Sequence, residues 1–74
     1  MYILNQDKRK VINTDNVINI YVVKFPNEKP DIRCLNVSGY ETILGSYNDE
    51  ERCMEILKEI PMFSDKKLYE MPKE

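Results

Sequence analysis

The segment covering residues 17–25 constrains the fold of this chain more than any other. It is rich in β-branched and aromatic residues, which favour a β-strand. Side chains of a strand alternate between two faces, and here both faces are apolar. The odd-numbered face carries Val17, Tyr21, Val23 and Phe25, and the even-numbered face carries Ile18, Ile20 and Val22. A sheet built around this strand therefore needs cover on both sides.

Further strands are predicted on either side of this segment. Polar residues 5–8 favour a turn between two short strands, which would form a hairpin over residues 1–13. Pro26 and Pro30 predict a loop, because proline cannot donate to a strand ladder. The remaining predicted strands cover residues 32–37 and 40–45, joined by a tight turn at Ser38 and Gly39, and residues 67–71 at the edge of the sheet.

One α-helix is predicted over residues 49–60. Its apolar residues recur at i, i+3, i+4 and i+7, which places Cys53, Ile56, Leu57 and Ile60 on one stripe. Asn48 is the predicted N-cap, and Glu51 follows three residues later as in a capping box. Pro61 is predicted to end the helix.

The order of these elements predicts one α+β domain over residues 1–74: an antiparallel β-sheet of about five to six strands with one α-helix, about residues 49–60, packed on one face. A helix of that length, about 18 Å, covers only one face. We interpret the other face as an interaction surface that pairs with a second copy, most simply as a dimer, with Val17, Tyr21, Val23 and Phe25 as its candidate residues. Pairing through an edge strand is the other route to self-association. In the alternative, the sheet curls into a barrel-like shape and the C-terminal segment covers the second face with Met62, Phe63, Leu68 and Tyr69.

The chemistry-bearing residues favour a protein that is not an enzyme and binds no cofactor or metal. The chain has no histidine, which removes the usual general base and the commonest metal ligand. Cys34 and Cys53 do not have the spacing of a zinc ribbon or a redox dithiol, so we interpret them as buried apolar residues in a reducing cytoplasm.

Charge and hydropathy restrict the partners. The net charge of −2 disfavours nucleic-acid binding. The basic run Lys8, Arg9 and Lys10 is a candidate for a weak anion or nucleic-acid patch, although a solvated hairpin tip explains it more simply. No stretch has the ~18 apolar residues of a membrane span, and the N-terminus lacks the pattern of a signal peptide. We therefore expect a cytoplasmic protein without a membrane partner.

Three stretches of sequence carry a resemblance. They are the start MYILNQDK, the central LGSY with the helix that follows it, and the end YEMPKE. Together they resemble a group of small uncharacterised proteins of low-GC Gram-positive bacteria and their phages. The resemblance implies that the closing segment belongs to the domain as a final strand, and it transfers no functional residue. It also implies a second candidate function, a phage- or mobile-element-linked inhibitor or sequestering protein that binds a host or phage partner in host defence.

Overall fold

A computed structural model describes residues 1–74, and it contains six strands and one α-helix. The α+β class predicted from the sequence is confirmed. The elements are β1 (Tyr2–Leu4), β2 (Val11–Asn13), β3 (Val17–Val23), β4 (Asp31–Asn36), β5 (Glu41–Ser46), α1 (Glu50–Glu59) and β6 (Leu68–Glu70). Short 3-10 helices cover Thr14–Asn16 and Ile60–Phe63.

The strands form two three-stranded sheets, so the prediction of one sheet is wrong. One sheet has the order β2-β1-β6, in which β6 runs parallel to β1, and the other is the antiparallel sheet β3-β4-β5. The 3-10 turn between β2 and β3 separates them. The side chain of Asn13 accepts a hydrogen bond from the backbone N–H of Asp15 at 3.0 Å, which stabilises the turn. Beyond the turn, β3 pairs with β4 and not with β2.

Gln6 joins the two sheets just beyond the end of β1. Its backbone N–H donates to the carbonyl of Leu44 at 2.8 Å. Its side-chain amide donates to the carbonyl of Ser46 at 2.9 Å and accepts from the Ser46 N–H at 2.8 Å. These bonds occupy part of the free edge of β5.

One apolar core is shared by both sheets and the helix. Its ten buried residues are Ile3, Ile32, Cys34, Leu44, Tyr47, Cys53, Ile56, Ile60, Tyr69 and Met71. The helix lies against β3 and β4. Of the predicted apolar stripe, Leu57 alone is only half-buried.

Two of the four C-terminal residues named in the barrel-like alternative, Phe63 and Tyr69, are found in or against the core between the two sheets and not over a second face of one curled sheet. Tyr69 is buried, and Phe63 packs edge-on against it with ring centroids 5.2 Å apart. Met62 and Leu68 are exposed. The C-terminal strand therefore completes the core between the sheets.

The helix begins one residue later than predicted, which changes its N-cap from Asn48 to Asp49. The Asp49 carboxylate accepts a hydrogen bond from the backbone N–H of Arg52 at 2.8 Å. We expect Asp49→Ala to lower the free energy of unfolding by about 0.5–2 kcal/mol, because that N–H loses its partner. The matched control Asn48→Ala is expected to have no such effect. Urea unfolding measures both, and equal losses in the two variants would contradict this assignment of the cap.

Candidate functional site

The outer face of the β3-β4-β5 sheet contains most of the predicted interaction residues. Ile32 and Cys34 of β4 point into the core, so Asp31, Arg33 and Leu35 point the opposite way. We call this side the outer face. In the register of the sheet, Arg33 lies between Tyr21 on β3 and Ile43 on β5.

Arg33 is the centre of a polar network on this face. Its Nε and Nη2 donate to the two carboxylate oxygens of Asp31 at 2.7 and 3.1 Å, and its Nη1 donates to Glu41 Oε1 at 2.8 Å. The ring of Phe25 covers the guanidinium, with 5.6 Å between Cζ and the ring centroid. Two carboxylates and an aromatic ring hold this side chain in place, and it is only 18% exposed.

Tyr21 extends the network to β3. Its hydroxyl donates to Glu41 Oε2. The hydrogen bonds from Tyr21 and Arg33 hold the pKa of Glu41 below its ordinary value, and the same bond to Glu41 raises the pKa of Tyr21. Hydrogen bonds among Tyr21, Glu41, Arg33 and Asp31 thus connect all three strands.

The lowered pKa of Glu41 predicts a pH dependence of stability. A carboxyl group with a depressed pKa stabilises the fold above its unfolded pKa, near 4.5, and this contribution is lost as the pH falls through the folded value. We therefore expect Glu41→Gln to reduce the loss of stability on acidification below about pH 5. The control is Glu70→Gln, which replaces an exposed glutamate that forms no salt bridge. Urea midpoints across this pH range test the prediction, and a Glu41→Gln profile that parallels that of the wild type would contradict it.

Three of the four predicted interaction residues lie together, and Val17 does not join them. Tyr21 and Val23 lie on the outer face, opposite Arg33 and Asp31, and Phe25 lies over Arg33. Val17 packs against the core instead. A register shift between Val17 and Asn19 interrupts the alternation of side chains, which also leaves Ile18 59% exposed.

Backbone hydrogen bonds show which residues of β3 face its open edge. Just beyond β4, the backbone N–H of Val37 donates to the carbonyl of Asn16, which precedes β3. At the end of β4, the backbone N–H of Asn36 donates to the carbonyl of Tyr40, which precedes β5. Odd-numbered β4 residues therefore bond toward β3, because bonding direction alternates along an antiparallel strand. Their partners on β3 are Asn19, Tyr21 and Val23. The backbone groups of Ile20 and Val22 consequently point away from β4.

No hydrogen bond connects the outward side of β3 to another segment of the chain. Edge strands are commonly protected by proline, lysine or a covering loop, and β3 carries neither of these residues between Val17 and Val23. The other sheet ends in strands of only three residues, β2 and β6. Gln6 occupies part of the edge of the six-residue strand β5, so the edge of β3 is the longest unpaired strand edge of the molecule.

The basic run lies elsewhere. Lys8, Arg9 and Lys10 are exposed in the turn between β1 and β2, and none of them forms a salt bridge. Lys8 occupies the left-handed region with φ 65°. The carboxylate of Asp7 accepts a hydrogen bond from the backbone N–H of Arg9 at 3.0 Å. The structure thus places these residues on a compact hairpin tip in the first sheet.

Both cysteines are buried and unpaired, and burial raises the pKa of each thiol. No cluster of three metal-ligating side chains is present. α1 is too short and too polar to cross a membrane.

Comparison of the chain with protein-family models, curated proteins and solved structures finds no match. Function must therefore be inferred from this chain's own residues. Sequence reasoning missed the charged part of the site, which comprises Asp31, Arg33 and Glu41. The available signal was the placement of Asp31 and Arg33 two positions apart at the start of an otherwise apolar strand, which puts both charges on one face.

Proposed function

We propose that this protein is a non-enzymatic interaction module that self-associates by strand addition at the open edge of β3. In this proposal α1 covers the inner face of the β3-β4-β5 sheet, and association extends the sheet sideways. The unpaired backbone of Ile20 and Val22 is the observation that carries the proposal. Unpaired edge groups on a β-branched strand are a template for another strand.

A second copy of the chain is the partner that the edge fits best. An antiparallel pair of identical strands satisfies the edge groups of both copies at once, through a twofold axis. A small core gives a further reason, since a 74-residue domain buries little apolar surface on its own. We place this association in the cytoplasm, where the two buried thiols remain reduced.

The outer face supports recognition rather than catalysis. Arg33 is occupied by two carboxylates, and Tyr21 donates to one of them. Both thiols are buried in the core, and burial raises the pKa of each. The exposed side chains of Phe25 and Ile43 add apolar contact area beside this network, which is typical of a binding surface.

Light scattering over a concentration series tests the proposal. We expect the mass to rise from the 8.8 kDa of the chain toward twice that value as concentration increases into the micromolar range. A mass of 8.8 kDa throughout, up to high micromolar concentration, would overturn self-association. In that case the proposed partner of the β3 edge would be an extended segment of a host or phage protein, the partner class implied by the sequence resemblance.

A further inference from the structure

We infer that two copies pair with the twofold axis passing beside Tyr21, so that β3 of each copy continues the sheet of the other. The result is a six-stranded antiparallel sheet with the order β5-β4-β3-β3-β4-β5. This inference rests on the proposed self-association and adds its register. It therefore specifies which residues meet across the interface.

Symmetry restricts the possible registers. The twofold axis that relates two antiparallel strands is perpendicular to the sheet, so inner faces meet inner faces and outer faces meet outer faces. Residues that face each other must therefore both be even-numbered or both be odd-numbered in the regular part of β3. Only Ile20 and Val22 have outward backbone groups within the regular ladder from Asn19 to Val23.

The axis at Tyr21 is the register that pairs both of these residues inside the regular ladder. Ile20 then faces Val22 of the partner subunit, and the two symmetric pairs exchange four backbone hydrogen bonds. An axis at Ile20 would place Val22 against the register shift at Ile18. An axis at Val22 would place Ile20 against Lys24, beyond the end of the strand.

Side chains and charges agree with this register. Ile20 and Val22 pack against the core of their own copy, so pairing them continues one apolar inner face across the interface. In this register Lys24 of each copy faces Ile18 of the partner subunit, so no two like charges meet along the paired strands.

Cysteine cross-linking in the full-length chain tests the register. Tyr21 and Tyr21 of the partner subunit would form a non-hydrogen-bonded pair, whose Cα atoms lie about 4.5 Å apart, within the range of a disulfide. We therefore expect Tyr21→Cys to give a disulfide-linked dimer on mild oxidation. Asn19→Cys and Val23→Cys should not cross-link alone, because each lies about 14 Å along the strand from its own symmetry mate. A mixture of these two variants should cross-link, since Asn19 faces Val23 of the partner subunit.

Two controls separate the outcomes. The wild-type chain, whose two cysteines are buried, should give no cross-linked dimer. Glu70→Cys, at an exposed residue of β6, should not give a disulfide-linked dimer, which shows that cross-linking at position 21 reflects pairing of β3. Cross-linking of Asn19→Cys or Val23→Cys alone would overturn the register. If the wild type is dimeric but neither Tyr21→Cys nor the mixture of Asn19→Cys with Val23→Cys cross-links, the register is also overturned. A monomeric wild type would instead overturn the proposed function itself.

Discussion

Val22→Pro is expected to make the protein monomeric at concentrations where the wild type is a dimer. The Val22 N–H points away from β4, so proline removes an edge donor without removing a bond of the β3-β4 ladder. In the dimer each copy would lose one intermolecular bond and leave a carbonyl of its partner without a donor. At about 1–3 kcal/mol for each unsatisfied group, the two symmetric losses weaken dimerisation by about 2–6 kcal/mol. Light scattering at matched concentrations measures the change.

Val22→Ala is the matched control for this variant. It removes much of the side chain, which packs against the core, and it keeps the backbone N–H. We expect it to lower stability and to weaken the dimer much less than Val22→Pro does, because every edge hydrogen bond remains. Circular dichroism confirms that both variants are folded. A folded Val22→Pro variant that remains dimeric would show that association does not use the edge of β3.

Gly45→Ala is expected to lower the free energy of unfolding by about 1–3 kcal/mol, by overpacking. A Cβ atom at position 45 would lie 2.7 Å from Tyr47 Oη and 2.9 Å from Tyr47 Cε2. The tyrosine has little room to move, since it is 2% exposed and its hydroxyl donates to the carbonyl of Pro72 at 2.7 Å. Burial also raises the pKa of Tyr47 to about 12. Displacing this ring would disturb the segment that follows β6.

Gly39 provides the comparison, because its backbone conformation favours glycine, whereas Gly45 is restricted by the neighbouring Tyr47 ring. Gly39 has φ 88° in the turn between β4 and β5, and a Cβ atom there would meet nothing within 4 Å. Asparagine tolerates this backbone region, so Gly39→Asn should cost little. Urea unfolding of both variants measures the difference. If Gly45→Ala is as mild as Gly39→Asn, the ring of Tyr47 does not restrict position 45.

Local sequence signals predicted most elements of the fold. The β-branched residues of β3, the turn at Gly39 and the periodic apolar residues of α1 each determine a short segment, and these elements are found where they were expected. The division into two sheets was not predicted, because the polar residues Thr14–Asn16 indicate a break in the chain but not whether β3 pairs back with β2. The register shift after Val17 was also missed. It moves Val17 from the predicted interaction face to the core.

The candidate site was predictable only in part, because it depends on how the strands pair. The two apolar faces of residues 17–25 were visible in the sequence, and they led to Tyr21, Val23 and Phe25. The charged network was not visible, since Arg33 meets Glu41 only through the register of β4 and β5. The open edge likewise follows from the order of strands in the sheet. Pairing partners are long-range information that local patterns do not contain.

Amide hydrogen exchange of β3 at low and high protein concentration tests the edge pairing most directly. The N–H groups of Ile20 and Val22 point to the open edge, while the N–H of Tyr21 bonds to β4 and serves as an internal reference. We predict that amide exchange at Ile20 and Val22 is fast in the monomer and slows as the dimer forms. Exchange at Tyr21 should slow only as much as stabilisation of the whole fold requires. Fast exchange at Ile20 and Val22 in a sample that light scattering shows to be dimeric would contradict pairing at this edge.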